Sequence, residues 1–245
     1  MANENQPAAA MDSLLQALQV NIIPNQEYLL QGSVLDTAVQ RVLHRWEFLL
    51  FTFCFCFLIF VVTLHSLKGL CDNVETAPDQ FSDYEACFSL RSPINDQMQS
   101  QQQPPLLLRV RKSNDPADAS MPFQLRYIGN PELGDAKRPT LVRASFDISC
   151  SPTIIDFLTE MGCRLEFEFT IRGYLFRKGR MKISVSKIFK INQEPISQSY
   201  LVELSVLAPS GQDAVAEDMR IFAEKLKPLV QLEKIDYKRL AQMGN

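Results

Sequence analysis

Two glutamates, Glu166 and Glu168, stand two residues apart inside the string RLEFEFTIRGYLFRKGRMKISVSKIFKI from Arg164 to Ile191. Carboxylates at that spacing on a strand share one face, and such a pair could hold a divalent cation for phosphoryl chemistry. The plainer reading is a polar stripe in which Lys190 and Arg172 balance them across strands, the ordinary use of such charges in a sheet. The cluster Arg177, Lys178, Arg180 and Lys182 could meet phosphate or an acidic partner, but reads more simply as a solvated turn. Gly129 to Gly134, GNPELG, lacks the strand-to-helix setting of a phosphate loop. Six cysteines, at 54, 56, 71, 87, 150 and 163, show no CxxC spacing, and only His44 and His65 accompany them. That material supports neither a zinc site nor a nucleophile with its base, and points to reduced thiols in an intracellular protein. The sequence therefore nominates no catalytic, cofactor-binding or metal residue, and no cofactor.

The elements that would position these side chains centre on one long hairpin. On its first arm Leu165, Phe167, Phe169 and Ile171 alternate with Glu166, Glu168, Thr170 and Arg172, the period-2 pattern of a strand with one side in a core. The second arm alternates likewise, with Met181, Ile183, Val185, Phe189 and Ile191 against Lys182, Ser184, Ser186 and Lys190. With Lys178-Gly179 as the turn, Phe176 faces Met181 and Tyr174 faces Ile183. Keeping apolar against apolar then requires a bulge at Gly173, which pairs Ile171 with Val185, Phe167 with Phe189 and Leu165 with Ile191, and sets Glu166 across from Lys190. A three-residue loop without a bulge, pairing Phe169 with Phe189, is the competing register.

The chain of 245 residues is 46% hydrophobic with a net charge of −3, enough to bury a sizeable core and no electrostatic reason to expect nucleic acid as a direct ligand. Residues 1–25 read as a disordered tail without the charged start of a signal peptide. The rest, 26–240, reads as a single domain. Short strands are expected at Gln26 to Gly32, Asp83 to Arg91, Leu106 to Lys112, Phe123 to Ile128, Thr140 to Ile148 and Ser199 to Ala208. Ser33 is expected to cap a helix with the stripe Leu35, Val39, Val42 and Leu43. A short helix spans Ser151 to Gly162, and a final one has the apolar face Met219, Phe222, Ala223 and Leu226, extended to Val230 where Pro228 kinks rather than ends it. Residues 92–105 form a Gln/Pro-rich loop. Many antiparallel strands without βαβ alternation, plus helices near both ends, make the class α+β: an antiparallel, tunnel-like β-barrel with flanking helices.

One segment does not fit. Between Glu47 and His65 the string FLLFTFCFCFLIFVVTL runs 17 residues without a charge and with six Phe, just the length of a bilayer span. It interrupts an amphipathic helix: joining Arg45 to Leu67 continues the stripe Leu35, Val39, Val42, Leu67 and Leu70. Phe, Leu, Ile and Val all take U at the second codon position, so the RNA here is pyrimidine-rich, as it is before an intron's 3′ end. Residues 46–66 are read as an apolar insert of retained or mispredicted intron sequence, with a membrane span over 47–65 as the alternative and a buried core segment as the third reading.

The strings EYLLQGSVLD (27–36), GLCDN (69–73), LRYIGNPELGD (125–135), FLTEMG (157–162), GYLFRKGRMKI (173–183), SYLVELSVLAPSGQD (199–213) and FAEKLKPLVQLEKID (222–236) together resemble the subunit-eighteen family of the Mediator complex, in order and over nearly all of Glu27 to Leu240. In that family LHR runs almost directly into LKGLCDN, so Trp46 to Ser66 is the departure. The resemblance implies an antiparallel β-barrel that pairs with Mediator subunit twenty and receives a helix of subunit eight in the head module. It implies a nuclear, non-enzymatic scaffold that links regulators indirectly to RNA polymerase II. The barrel is also reminiscent of tunnel-type RNA triphosphatases, which carry an ExExK strand; here Thr170 stands where the Lys would be. A triphosphatase-like phosphohydrolase and a single-pass membrane-anchored β-domain are the alternatives.

Overall fold

A computed structural model describes residues 25–35, 60–72, 77–90, 106–118, 120–132, 138–209 and 211–235. The strands are β1 (Asn25–Leu35), β2 (Asp79–Leu90), β3 (Leu106–Ser113), β4 (Phe123–Pro131), β5 (Leu141–Cys150), β6 (Arg164–Lys178), β7 (Met181–Phe189) and β8 (Ser199–Pro209). The helices are α1 over 60–70, α2 (Ile154–Glu160) and α3 (Asp213–Lys225). The strands close into one barrel in the order β1-β5-β4-β3-β2-β6-β7-β8, antiparallel throughout. Every expected strand is present, and the α+β barrel with flanking helices is the architecture found. The expected tail at 1–25 and loop at 92–105 fall outside the described residues, Asn25 excepted. Ser33 is not a helix cap: it lies within β1, paired with Leu201.

Apolar clusters form on both sides of the barrel wall. On the outer wall, Tyr28 and Leu30 of β1, Phe176 of β6, Ile183 and Val185 of β7, and Val202, Leu204 and Val206 of β8 are buried under α1 and α3. Helix α3 contributes Val215, Ala216, Met219, Phe222 and Ala223, with Leu226 and Val230 just beyond it, the helical spacing expected of its apolar face. A second outer cluster forms where Ile154 and Leu158 of α2 cover Ala86, Phe88 and Val110. Inside, Cys87, Phe169 and Ile171 make a smaller apolar patch.

The hairpin register departs from both sequence expectations. Lys178 pairs with Met181, so the turn is Gly179-Arg180, with Gly179 at φ +55°. Pairing then runs without a bulge: Phe176 with Ile183, Tyr174 with Val185, Gly173 with Ser186, Ile171 with Ile188 and Thr170 with Phe189. The premise of a single apolar face was at fault. Ile171 and Phe169 look into the barrel while Tyr174 and Phe176 look out toward the helices, so the buried side of the strand changes at Gly173 without a change of parity. Gly173 is glycine because β7 passes too close, with the Val185 carbonyl oxygen 2.2 Å from where a Cβ would stand.

The Phe-rich stretch enters the fold at its far end. Residues 60–66 are continuous in α1 with 67–70, and Phe60, Thr63, Leu67 and Cys71 are buried against the outer wall. The rings of Phe60 and Tyr200 stack with centroids 4.1 Å apart. The remainder of the expected insert, 46–59, is outside the described residues.

Candidate functional site: the charged barrel lumen

Alternate residues of the strands point into the barrel, and many are charged. Arg126 of β4 makes a two-pronged contact with Asp147 of β5, both hydrogen bonds 2.6 Å long. Arg143 of β5 donates to Glu27 of β1 at 2.7 Å. Glu85 of β2 is only 2% exposed and accepts from the Arg111 Nε at 2.7 Å, with Arg109 at 3.8 Å; Arg111 also lies 3.7 Å from Asp83. Gln31 of β1 donates to Glu203 of β8.

These groups share one interior field. Lys182 on β7 neighbours neither β3 nor β4, yet burial and the charges of Arg111 and Arg126 push its ammonium below the usual lysine range, with Asp147 and Glu203 opposing. Burial works against the Arg126 charge, but the Asp147 carboxylate more than compensates and holds its affinity for the proton above normal. Asp147 is correspondingly low, burial being outweighed by Arg126. Asp83 goes the other way, raised chiefly by burial. The arrangement is largely self-satisfying: its guanidinium groups are already met by carboxylates from adjacent strands, which fixes strand against strand and leaves little unspent charge for a ligand.

The candidate metal pair does not assemble. Where β6 slips against β2, Cys87 pairs with Phe167 and Phe88 with Leu165, so Glu166 is the extra residue, and its carboxylate accepts from the Ser89 hydroxyl. Glu168 hydrogen-bonds the Tyr84 hydroxyl, whose pKa is pushed up to about 12 by burial and by that carboxylate. Tyr84 packs in the α2 cluster on the outer wall, so Glu168 faces away from the lumen. Neither glutamate meets the partner expected of it: Lys190 pairs with Glu194 at 3.7 Å, and Arg172 bonds Gln193 and lies over the Phe189 ring. Among the described residues no group of three or more His, Cys, Asp or Glu could hold a metal ion.

The basic turn has a structural partner that pattern reading missed. Asp72, just past α1, accepts from the Gly179 backbone N–H at 2.6 Å and the Lys178 ammonium at 3.0 Å, while its own N–H donates to the Arg177 carbonyl at 2.8 Å. These bonds hold the Asp72 carboxyl below its ordinary range and tie the end of α1 to the hairpin. An acidic residue directly after a helix, with a Lys-Gly turn elsewhere, was the available signal, but 106 residues separate Asp72 from Lys178.

With the barrel, its polar interior and its two helical covers defined, a family model described as Med18 protein matches residues 60–242. The chain belongs to the Med18 family. It is 60% identical over 244 residues to Mediator of RNA polymerase II transcription subunit 18 of Aedes aegypti, covering 99% of this chain and all of that protein. The Drosophila melanogaster protein of the same description is 53% identical, covering 96% and 98% of the two chains. Among solved structures, a chain of the Schizosaccharomyces pombe Mediator head module shares the fold with a TM-score of 0.56, at 16% identity, over 86% of this chain and 98% of that one.

Proposed function

We propose that the chain is a non-enzymatic subunit of the Mediator coactivator complex, acting in the nucleus as a scaffold of the head module. Its direct neighbours in this reading are Mediator subunits twenty and eight, and it connects regulators to RNA polymerase II through the complex rather than by touching nucleic acid. The observation that carries the reading is the 60% identity extending across the whole of the Aedes aegypti subunit.

The physical features support a binding role over a chemical one. The lumen charges are engaged with one another, and Glu166 and Glu168 are spoken for by Ser89 and Tyr84. Exposed apolar side chains at Phe157, Leu165, Phe167, Ile191 and Ile196 give the barrel surfaces on which partners can bury area. Against an anchor, residues 60–66 are packed on the barrel wall, and no helix among the described residues is long and apolar enough to cross a membrane.

The test is co-purification. Tagged chain should bring down subunits twenty and eight from nuclear extract and release no phosphate from triphosphate-ended RNA with magnesium or manganese. Glu166→Gln with Glu168→Gln should leave assembly unchanged. Metal-dependent phosphate release abolished by those two substitutions would overturn the scaffold reading.

A further inference from the structure

The hairpin end of the barrel carries positive charge that the fold leaves unanswered. Arg109, Arg111, Arg126, Arg138, Arg143 and Arg220 each meet a carboxylate. Arg177 and Arg180 at the β6–β7 turn, and Lys182 just beyond it, form no ion pair among the described residues, and all three are exposed. In the basic turn only Lys178 has a carboxylate, that of Asp72.

This surplus differs from an ordinary solvated turn in its placement. Arg177 and Lys182 are direct cross-strand partners, which sets like charges on Cα atoms about 4.5–5.5 Å apart and works against folding. Burial and the charges of Arg111 and Arg126 already depress the Lys182 ammonium, so the lumen behind it offers no relief. The turn is nevertheless held rigidly: Asp72 accepts from the Gly179 N–H at 2.6 Å and donates to the Arg177 carbonyl at 2.8 Å. An apolar side chain stands beside the cations. Lys182 pairs with Ser205, so Leu207 lies on the same face of β8, two residues on and level with Arg180, and it is 59% exposed. Glu27, opposite Leu207, is taken by Arg143.

We infer that the hairpin-end mouth of the barrel docks an acidic segment of a partner protein. One carboxylate of the segment meets Arg177 and Lys182 together, a second meets Arg180, and an apolar side chain between them covers Leu207. Binding thus relieves the like-charge pair that the free chain tolerates. Nucleic acid fits less well, because Arg177, Arg180 and Lys182 fall short of the roughly 6–10 phosphate contacts of such complexes, and a phosphate backbone has nothing to set on Leu207. The inference stands whichever subunits neighbour the chain.

Fluorescence anisotropy tests it, with the full chain and a labelled peptide in which aspartate pairs alternate with leucine. The peptide should bind, and its asparagine counterpart should not. Arg177→Gln with Arg180→Gln should weaken binding about five- to thirtyfold through the loss of two ion pairs. The same double variant should not lower the melting temperature, since it relieves a like-charge pair. Arg220→Gln with Lys225→Gln removes equal charge from α3 and should leave binding unchanged, whereas Leu207→Ser should weaken it about threefold or more. Failure of the acidic peptide to bind, equal binding of its asparagine counterpart, equal weakening by the two double variants, or parental binding by Leu207→Ser overturns the inference. So does a lower melting temperature of the Arg177→Gln, Arg180→Gln chain, which would make these arginines structural, or an oligouridylate that displaces the peptide and binds more tightly, which would make the mouth a nucleic-acid site.

Discussion

Replacing Gly173 by alanine tests the account of the hairpin most directly. A Cβ there would stand 2.2 Å from the Val185 carbonyl oxygen, 2.7 Å from the Ser186 Cα and 2.9 Å from its Cβ. The nearest two of these atoms are backbone, and β7 is held on its far side by β8, so no rotamer change relieves the clash. The strands must part by about 1 Å, which costs about 1–3 kcal/mol as overpacking and weakens the ladder bonds beside Gly173 by about 1 kcal/mol. The lower entropy of the unfolded alanine chain returns about 0.4–1 kcal/mol. The net is a loss of about 1–3.5 kcal/mol, or about 2–14 °C in melting temperature for a chain of this size. Gly69 is the matched control, because nothing lies within 4 Å of its Cβ position and it is in helix α1; Gly69→Ala should stabilise by up to about 1 kcal/mol. A Gly173→Ala protein melting within 2 °C of the parent would refute the close approach, and with it the bulge-free register.

The lumen and the buried thiols give further expectations. Asp147→Asn should destabilise by about 1–2 kcal/mol, a figure kept low because the carboxylate is 38% exposed, by weakening the pair with Arg126. Since the folded Asp147 pKa is depressed, the parent's advantage is complete above the ordinary Asp range near ~4 and vanishes as pH falls through the lower folded value. Urea midpoints of the two proteins should therefore converge in acid, and a constant gap down to pH 2 would contradict the assignment. Cys71 is 2% exposed and its thiol is pushed up to about 11, mainly by burial, then by Asp72. Iodoacetamide at pH 8 should alkylate the half-buried Cys150 well before Cys71, as peptide mass mapping would show; equal rates would mean that the end of α1 is not docked.

The sequence by itself determined the strands, the two later helices and the family. Alternation over segments such as Leu106 to Lys112 and Ser199 to Ala208 is local and survives without tertiary knowledge, as does the 3.6-residue spacing of Met219, Phe222, Ala223 and Leu226. The strings that resemble subunit eighteen needed no fold at all. Register was different in kind. A rule that apolar faces apolar assumes one core, and β6 serves two, so Ile171 and Phe176 are both buried on opposite sides of the sheet. Nor could pattern show that Glu166 would be set out of pairing and Glu168 turned outward, since the slip that does so occurs against β2, some 80 residues away. The Arg126–Asp147 pair depends on the register of β4 on β5, and the Arg143–Glu27 pair on the closure that brings β1 beside β5. The fate of residues 60–66 was equally a tertiary matter: their apolar run read as foreign to the fold, but the outer barrel wall buries Phe60 in one cluster with side chains of β6, β7 and β8, and Thr63 is buried too.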